Sequence, residues 1–446
     1  MASSETIKIL FYPHSARAFS SSLIGHLAEL SQEFSVVLLT EPLHPSYAKV
    51  LEDRSLFPML DRVEILPRPG YSILELVRSN RAWYQLARRL VKEVRPQVVI
   101  TENDMSSLLD MYLLRAGKEF GSMCLTIQGM AQIEDVKMQK LVELAHIYRG
   151  NDKSGPIQKL WRTFLYDGRK WLGHFLVHFL LPWSLGTSAL RGGSSYVLRK
   201  GASGLRESDL NLVPTLQAWR AHTMSGVSAS RLALLTHPIM RVPHILYFPT
   251  PETGAASCNT FLTRNMLVLL SSEHIGFRRD NYSLISHDQR LATRLEILHL
   301  VCRILPTWDV HIKPHPDCGS LADVQNYLGD LDRSVVILPP SVPVEPYLKS
   351  ADAILSLPLS SSTTLFTAAS AFPQKPIISI NVDDEFYGDN YKDFPGVDYI
   401  TSMPELENLL NDIAAAHYQK PKASCDEEST LLRFKTTNDA VRHLIP

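Results

Sequence analysis

Cysteine is scarce in this chain and never closely paired. Five cysteines (Cys124, Cys258, Cys302, Cys318 and Cys425) are scattered over 446 residues with no CxxC spacing. That argues against a zinc ribbon or a redox dithiol and fits free thiols in a reducing compartment. An excess of one charge is missing too. The 45 Lys and Arg against 46 Asp and Glu leave a formal net charge of −1, so the whole-chain balance lacks the basic footprint of a nucleic-acid binder. No uninterrupted apolar run reaches about 18 residues, so no spanning helix is expected. The opening "MASSETIKILFYPHS" lacks a basic stretch followed by a long apolar core, so no secretory signal is expected either. These absences together lead us to expect a cytoplasmic protein. There is no repeat of 20–50 residues and no low-complexity segment.

What is present is an alternation of short apolar runs and helical periodicity. At about 150 residues per domain the length allows two or three domains. "TIKILFYP", "SVVLLTE", "QVVITEN" and "SMCLTIQG" are nearly continuous in apolar residues, as strands covered on both faces are. Between them, "SSSLIGHLAELSQEF", "AWYQLARRLVKEVRP" and "SSLLDMYLLRAGKEFG" carry helical spacing. Residues 150–205 break the rhythm. It resumes with "SDLNLVPT", "LQAWRAHTMSG" and "RLALLTHPI", and a Pro-rich stretch at 237–257 reads as a linker. The second half repeats the pattern from "NMLVLLSSE" to "MPELENLLNDIAAAHYQ". The expected fold is α/β: two Rossmann-like parallel-sheet domains, 1–245 (with an insertion at about 150–205) and 258–446, facing a cleft. Ligands of such sheets sit outside the carboxyl ends of the strands.

Two stretches of the second half point to chemistry. In "DVHIKPHPD", Val310 and Ile312 alternate with His311 and Lys313, which reads as a strand with one apolar and one polar face. Pro314 and Pro316 end it and stiffen the backbone around His315. That imidazole is either satisfied within a turn or aimed at a phosphate, with Lys313 adding charge. In "DAILSLPLSSSTTLFTAAS" an apolar strand stops at Pro358, and Ser360, Ser361, Ser362, Thr363 and Thr364 lead into a helix. One hydroxyl suffices to cap a helix. Five in a row also suit a phosphate at the helix N-terminus, where unpaired N–H groups and the helix dipole favour an anion.

Together these stretches resemble the donor-binding half of GT-B glycosyltransferases. "VEPYLKSADAILSLPLSSSTTLFTAASAFPQKPIISI" is similar to their buried strand, Ser/Thr-led helix and "gKPvI"-type strand. "KPHPD" resembles the His-Pro motif of bacterial capsule transferases: polysialyltransferases, capsule Kdo transferases and CDP-glycerol-polymerising relatives. The resemblance implies that His315, Pro316, Ser361, Ser362 and Thr363 contact a nucleotide and its phosphate, with one residue of slack that brings in Ser360. It also implies a nucleotide-sugar co-substrate, a CMP-linked sialic acid or Kdo first and a UDP-sugar or CDP-polyol next, with no separate cofactor. "LLRAGKEFGSMCLTIQGM" and "ESDLNLVPTLQAWRAHTMSGVSASRLALLTHPIM" resemble acceptor-half strands of the same superfamily, without a histidine between Gln128 and Gly129. The acidic stretch that the related UDP-GlcNAc 2-epimerases carry is missing from Ser360–Thr364, which counts against epimerisation.

A transferase needs a base for the acceptor hydroxyl. Candidates at strand ends of the first half are His14, Glu102, Asp104, Glu134 and Asp135; each also reads as a cap or a solvated loop residue. The family's acidic base favours Glu102 or Asp104. Arg278 and Arg279 in "SSEHIGFRRDNY" either pair with donor phosphates or form a solvated basic loop. Asp383, Asp384 and Glu385 lack the ligand spacing of a calcium loop, so no metal is expected. "GRKWLGHFLVHFLLPWSLGTSALRGG" (168–193) combines aromatic and basic residues. It fits an interfacial helix at the inner face of a membrane, or a helix buried against the sheet. The expectation is therefore metal-independent sugar transfer to a glycan or lipid-linked glycan in surface polysaccharide synthesis. The contrasting possibility is a non-catalytic sugar-nucleotide-binding assembly protein.

Overall fold

The computed structural model describes residues 6–13, 19–66, 73–102, 108–128, 208–224, 227–238, 241, 242, 246, 263–270, 287–315, 321–328, 335–340, 342, 344–357, 363–382, 391, 394, 396–420 and 431–445. The chain opens with β1 (Lys8–Tyr12), α1 (Ile24–Leu30), β2 (Ser35–Thr40), α2 (Pro45–Leu51), β3 (Leu60–Ile65), α3 (Ile73–Val94), β4 (Val98–Thr101), α4 (Leu108–Glu119) and β5 (Met123–Ile127). It resumes with β6 (Leu210–Val213), α5 (Leu216–Met224) and β7 (Leu232–Leu235). The second half runs β8 (Asn265–Leu270), α6 (His287–Ile304), β9 (Asp309–Pro314), α7 (Leu321–Leu328), β10 (Val336–Ile337), α8 (Glu345–Ser350), β11 (Ala353–Ser356), α9 (Thr363–Ala371), β12 (Ile377–Ile380), β13 (Asp398–Ile400), α10 (Met403–Ala414), β14 (Arg433–Phe434) and α11 (Thr437–Leu444).

These elements build two parallel sheets. The first has the order β14-β7-β6-β5-β4-β1-β2-β3 and the second β10-β9-β8-β11-β12-β13, with every strand pair parallel. Both faces of each sheet are covered, which is why the strands read as continuous apolar runs. In the first sheet Ile9, Val36, Leu38 and Ile100 pack under α1 and α11, while Leu10, Val37 and Val99 pack under α3 and α4. In the second, Val268, Val310 and Leu355 meet α6, α7 and α10, and Leu267, Leu269 and Ile354 meet α8 and α9.

The expected two-domain α/β architecture is present, with one departure from the expected boundaries. The chain's end does not stay with the second sheet: β14 pairs with β7, and α11 packs on α1. The return is held chemically. Thr436 caps α11 in a reciprocal box with Asp439. Thr437 donates its Oγ1–H and its backbone N–H to the Glu29 carboxylate, at 2.7 and 2.9 Å. Arg241 reaches the other oxygen of Glu29 at 2.7–2.9 Å. Because the Thr437 hydroxyl spends its proton on Glu29, His26 Nδ1, 2.9 Å away, must be the donor to it. His237 lies against His26 with ring centroids 5.4 Å apart. The edge strands β3, β13 and β14 and the helices α2 and α11 were not expected from the sequence. None of them carries a long apolar signature.

This junction makes stability depend on pH. Burial and then Arg241 push His237 down to about 4. Burial, His237 and Arg241 hold His26 well below its ordinary value. Unfolded, both titrate near 6.5. Between those values the unfolded chain binds protons that the folded chain refuses. Stability is therefore full above pH ~6.5 and falls as the pH drops towards 4, by on the order of 3 kcal/mol for His237 alone. Urea midpoints across pH 4–7.5 should show this slope, and His237→Asn should flatten it; an unsloped wild type contradicts the account.

Candidate functional site

In each sheet the strand order reverses once, the place at which sheets of this kind bind ligands. In the second sheet it falls between β8 and β11. The helix after β8 (α6) covers one face and the helix after β11 (α9) the other. In doubly wound sheets a switch of covering face at this point is where a ligand crevice lies. The register sets Lys313, Leu269, Ser356 and Ser379 in one row across β9, β8, β11 and β12. Just beyond that row, the His315 N–H donates to Leu270 O at 2.8 Å, and Leu357 N–H to Leu269 O at 3.1 Å. The ends of β9, β8 and β11 are thus locked side by side.

The residues singled out from the sequence follow these ends. His315, half-buried, is the residue after β9. Thr363 is the first residue of α9. Arg278, Pro316, Ser360, Ser361 and Ser362 lie outside the described residues. Their segments depart from β8, β9 and β11, the three adjacent strands at the reversal.

Two expectations for β9 change. It has no solvent-facing polar side: His311 and Lys313 are each only 5 % exposed. β9 lies between β8 and β10, with helices over both faces, so its alternate residues are buried as well. Burial lowers the pKa of His311, against an opposing pull from Asp309, and its ring meets Tyr347 with centroids 6.5 Å apart. The Lys313 ammonium donates to Pro314 O at 2.7 Å and Pro340 O at 2.9 Å. It is a strut joining the ends of β9 and the segment after β10, a role the sequence reading did not give it.

In the first sheet the reversal falls between β1 and β4. Tyr12 and Thr101 are register partners. Glu102 follows Thr101 directly and is half-buried. His14, two residues past Tyr12, and Asp104, three past Thr101, lie outside the described residues, as do Glu134, Asp135 and the stretch 168–193. The base candidates His14, Glu102 and Asp104 therefore follow the two strands that flank this reversal.

Three polar groups escaped the sequence reading. Asp110, in the first turn of α4, is fully buried. His222 of α5, also fully buried, lies with Nε2 2.8 Å from Gln128 Oε1 at the end of β5. Arg294 is 1 % exposed on the face of α6 that carries Ile297, Leu298 and Val301. An arginine keeps its charge in any surroundings, so one set on an apolar stripe must have anionic or carbonyl acceptors. A charge at a position the helical period assigns to the core is the signal that marks Asp110 and Arg294. Among the described residues no three potential metal ligands cluster, and no helix is long and apolar enough to cross a membrane.

No family model and no curated protein matches this chain. Solved structures do. A UDP-N-acetylglucosamine 2-epimerase aligns with TM-score 0.52 at 11% identity, covering 98% of this chain and 95% of its own. The UDP-GlcNAc 2-epimerase of Neisseria meningitidis, bound to UDP-GlcNAc, aligns with TM-score 0.50 at 12% identity, covering 92% of each chain. A lipopolysaccharide outer core galactosyltransferase in its apo form aligns with TM-score 0.47 at 13% identity over 93% and 92%, a score too low to add to the argument. At these identities the likeness concerns the fold, and the fold is GT-B: two Rossmann-like parallel-sheet domains.

Lys313→Met should leave two carbonyls at the strand ends without their charged donor and destabilise the protein by about 2 kcal/mol. Denaturant unfolding measures this; an unchanged midpoint removes the strut.

Proposed function

We propose that this protein binds a nucleotide sugar at the reversal point of its second sheet and transfers the sugar to a glycan hydroxyl. The observation that carries the reading is that three adjacent strands at the reversal, β9, β8 and β11, are the ones followed in the chain by His315, Arg278 and the run Ser360–Thr363. The N–H groups and dipole of α9, with hydroxyls before it in the chain and His315 at the end of β9, suit a diphosphate on which negative charge builds as the glycosyl bond breaks. The acceptor oxygen bonds to the anomeric carbon, the carbon–phosphate oxygen bond opens, and the nucleoside diphosphate leaves. The hydroxyl proton passes to a carboxylate of the first domain, Glu102 or Asp104, with His14 the further candidate. Lys313 braces the strand ends beside the proposed site through Pro314 O and Pro340 O.

For the donor, a UDP-sugar replaces the CMP-linked sugar expected from the motifs. Support comes from the fold likeness to proteins that bind UDP-GlcNAc. Those neighbours are epimerases, yet the run Ser360–Thr364 offers hydroxyls and no carboxylate, which favours transfer.

A thermal-shift panel of CMP, CDP, UDP and GDP should single out UDP, and His315→Ala should reduce its shift. If no nucleotide stabilises the protein, the reading fails; a CMP or CDP response restores the other donors. With UDP-sugars and a glycan acceptor, Glu102→Gln should lower kcat by roughly 10²–10⁴-fold and leave the donor KM unchanged if Glu102 is the base. Interconversion of UDP-GlcNAc with its 2-epimer would reassign the protein as an epimerase. UDP binding without turnover of any kind would make it a binding protein.

A further inference from the structure

The first sheet stops at β3, and no described strand pairs with the outer edge of β3. Among the described residues four large apolar side chains are exposed, and two of them are on this strand: Val63 at 38 % and Ile65 at 53 %. An uncovered edge that carries apolar side chains is a template for another strand. Its outward backbone groups can be read from the pairing. Leu66 N–H donates to Thr40 O at 2.8 Å, and successive residues turn their backbone groups to alternate sides. Arg62 and Glu64 therefore address β2, and Val63 and Ile65 present N–H and C=O outwards. The register shift between Val36 and Val37 confines this regular edge to the second half of β3.

The charges select the partner. Arg62 and Glu64 flank Val63, about half-way out of the surface, and Arg62 also pairs with Glu93 of α3 at 2.9 Å. In an antiparallel pair, directly opposed residues lie about 5 Å apart on the same face. A second copy of the strand, related by a two-fold axis through Val63, would set Arg62 opposite the copy's Glu64 and Glu64 opposite the copy's Arg62. Val63 would exchange both its outward hydrogen bonds with the copy's Val63. Other registers are worse. An axis through Arg62 or Glu64 opposes like charges, and one through Ile65 leaves Arg62 without a facing carboxylate. The same two charges repel most foreign strands, so they guard the edge against everything but its own antiparallel image.

We propose that β3 is the two-fold contact of a homodimer in which the first sheets of two copies join antiparallel, centred on Val63, into one continuous sheet. The proposal is independent of the nucleotide-sugar reading. The contact is isologous. A strand edge is small beside the ~1,600 Å² of a standard interface, so dissociation is expected in the micromolar range.

Sedimentation velocity from about 1 to 100 μM tests it over the range where such a contact titrates. Wild type should pass from monomer to dimer. Arg62→Glu and Glu64→Arg should each weaken dimerisation at least tenfold, because each opposes like charges twice. The double exchange R62E/E64R should restore it, and Val63→Lys should abolish it. Thermal melts identify any variant that has lost its fold. Glu64→Arg, which keeps Arg62 and Glu93 together, carries the result if Arg62→Glu does not fold. The proposal is overturned by a wild type that stays monomeric throughout, by a dimer indifferent to the single reversals, or by a double exchange that fails to restore association.

Discussion

Parallel pairing with both faces covered is the constraint from which the rest of this molecule follows. A strand packed by helices on either side has no room for polar side chains along its length. Where it keeps one, as at Lys313 or His311, burial turns the group inwards onto carbonyls or a neighbouring ring. Accessible chemistry is thereby driven to strand ends. The reversal in strand order then decides which ends matter, because only there do the connections part and leave a crevice. Each sheet has one such reversal: β1 and β4 in the first, β8 and β11 in the second.

The same constraint explains what could be read without coordinates. A strand buried on both faces leaves a continuous apolar run, so nearly all the central strands were legible, and so were the helices between them. Of the four edge strands, β3, β13 and β14 were not. β3 holds Asp61, Arg62 and Glu64 in six residues and looks like a loop; β14 is two residues long and owes its existence to β7. The return of α11 to the first domain was also invisible, because nothing local distinguishes a capped helix that packs on α10 from one that packs on α1. Its address is written in Glu29, Arg241 and Thr437, which are 212 and 408 residues apart from one another along the chain when counted from Glu29.

The site was legible in part, for a related reason. Residues that end strands announce themselves by the prolines and hydroxyls that stop the apolar run, as His315 and Thr363 do. Polar residues buried beneath a helix carry no such punctuation. Asp110, His222 and Arg294 occupy positions that the helical period assigns to the core. There a charged or polar letter reads as noise unless it is asked what it must bond to. Lys313 carries a role that its motif does not announce: two of its donors meet carbonyls at the strand ends.

The fold neighbours that carry weight isomerise a nucleotide sugar, whereas transfer is proposed for this chain. The sheets fix where a diphosphate can lie; they do not fix what happens to the anomeric carbon. That is decided by the few side chains that follow the reversal points. An epimerisation needs groups that move protons on the sugar bound to the second sheet's crevice, whereas a transfer needs a base that reaches an acceptor from the first. In this chain hydroxyls, not carboxylates, precede α9, and the carboxylate candidates Glu102 and Asp104 follow β4 of the first sheet. Under the proposed reading the first sheet meets the acceptor and the second the phosphates, so the acidic candidates and the hydroxyls stand where transfer needs them.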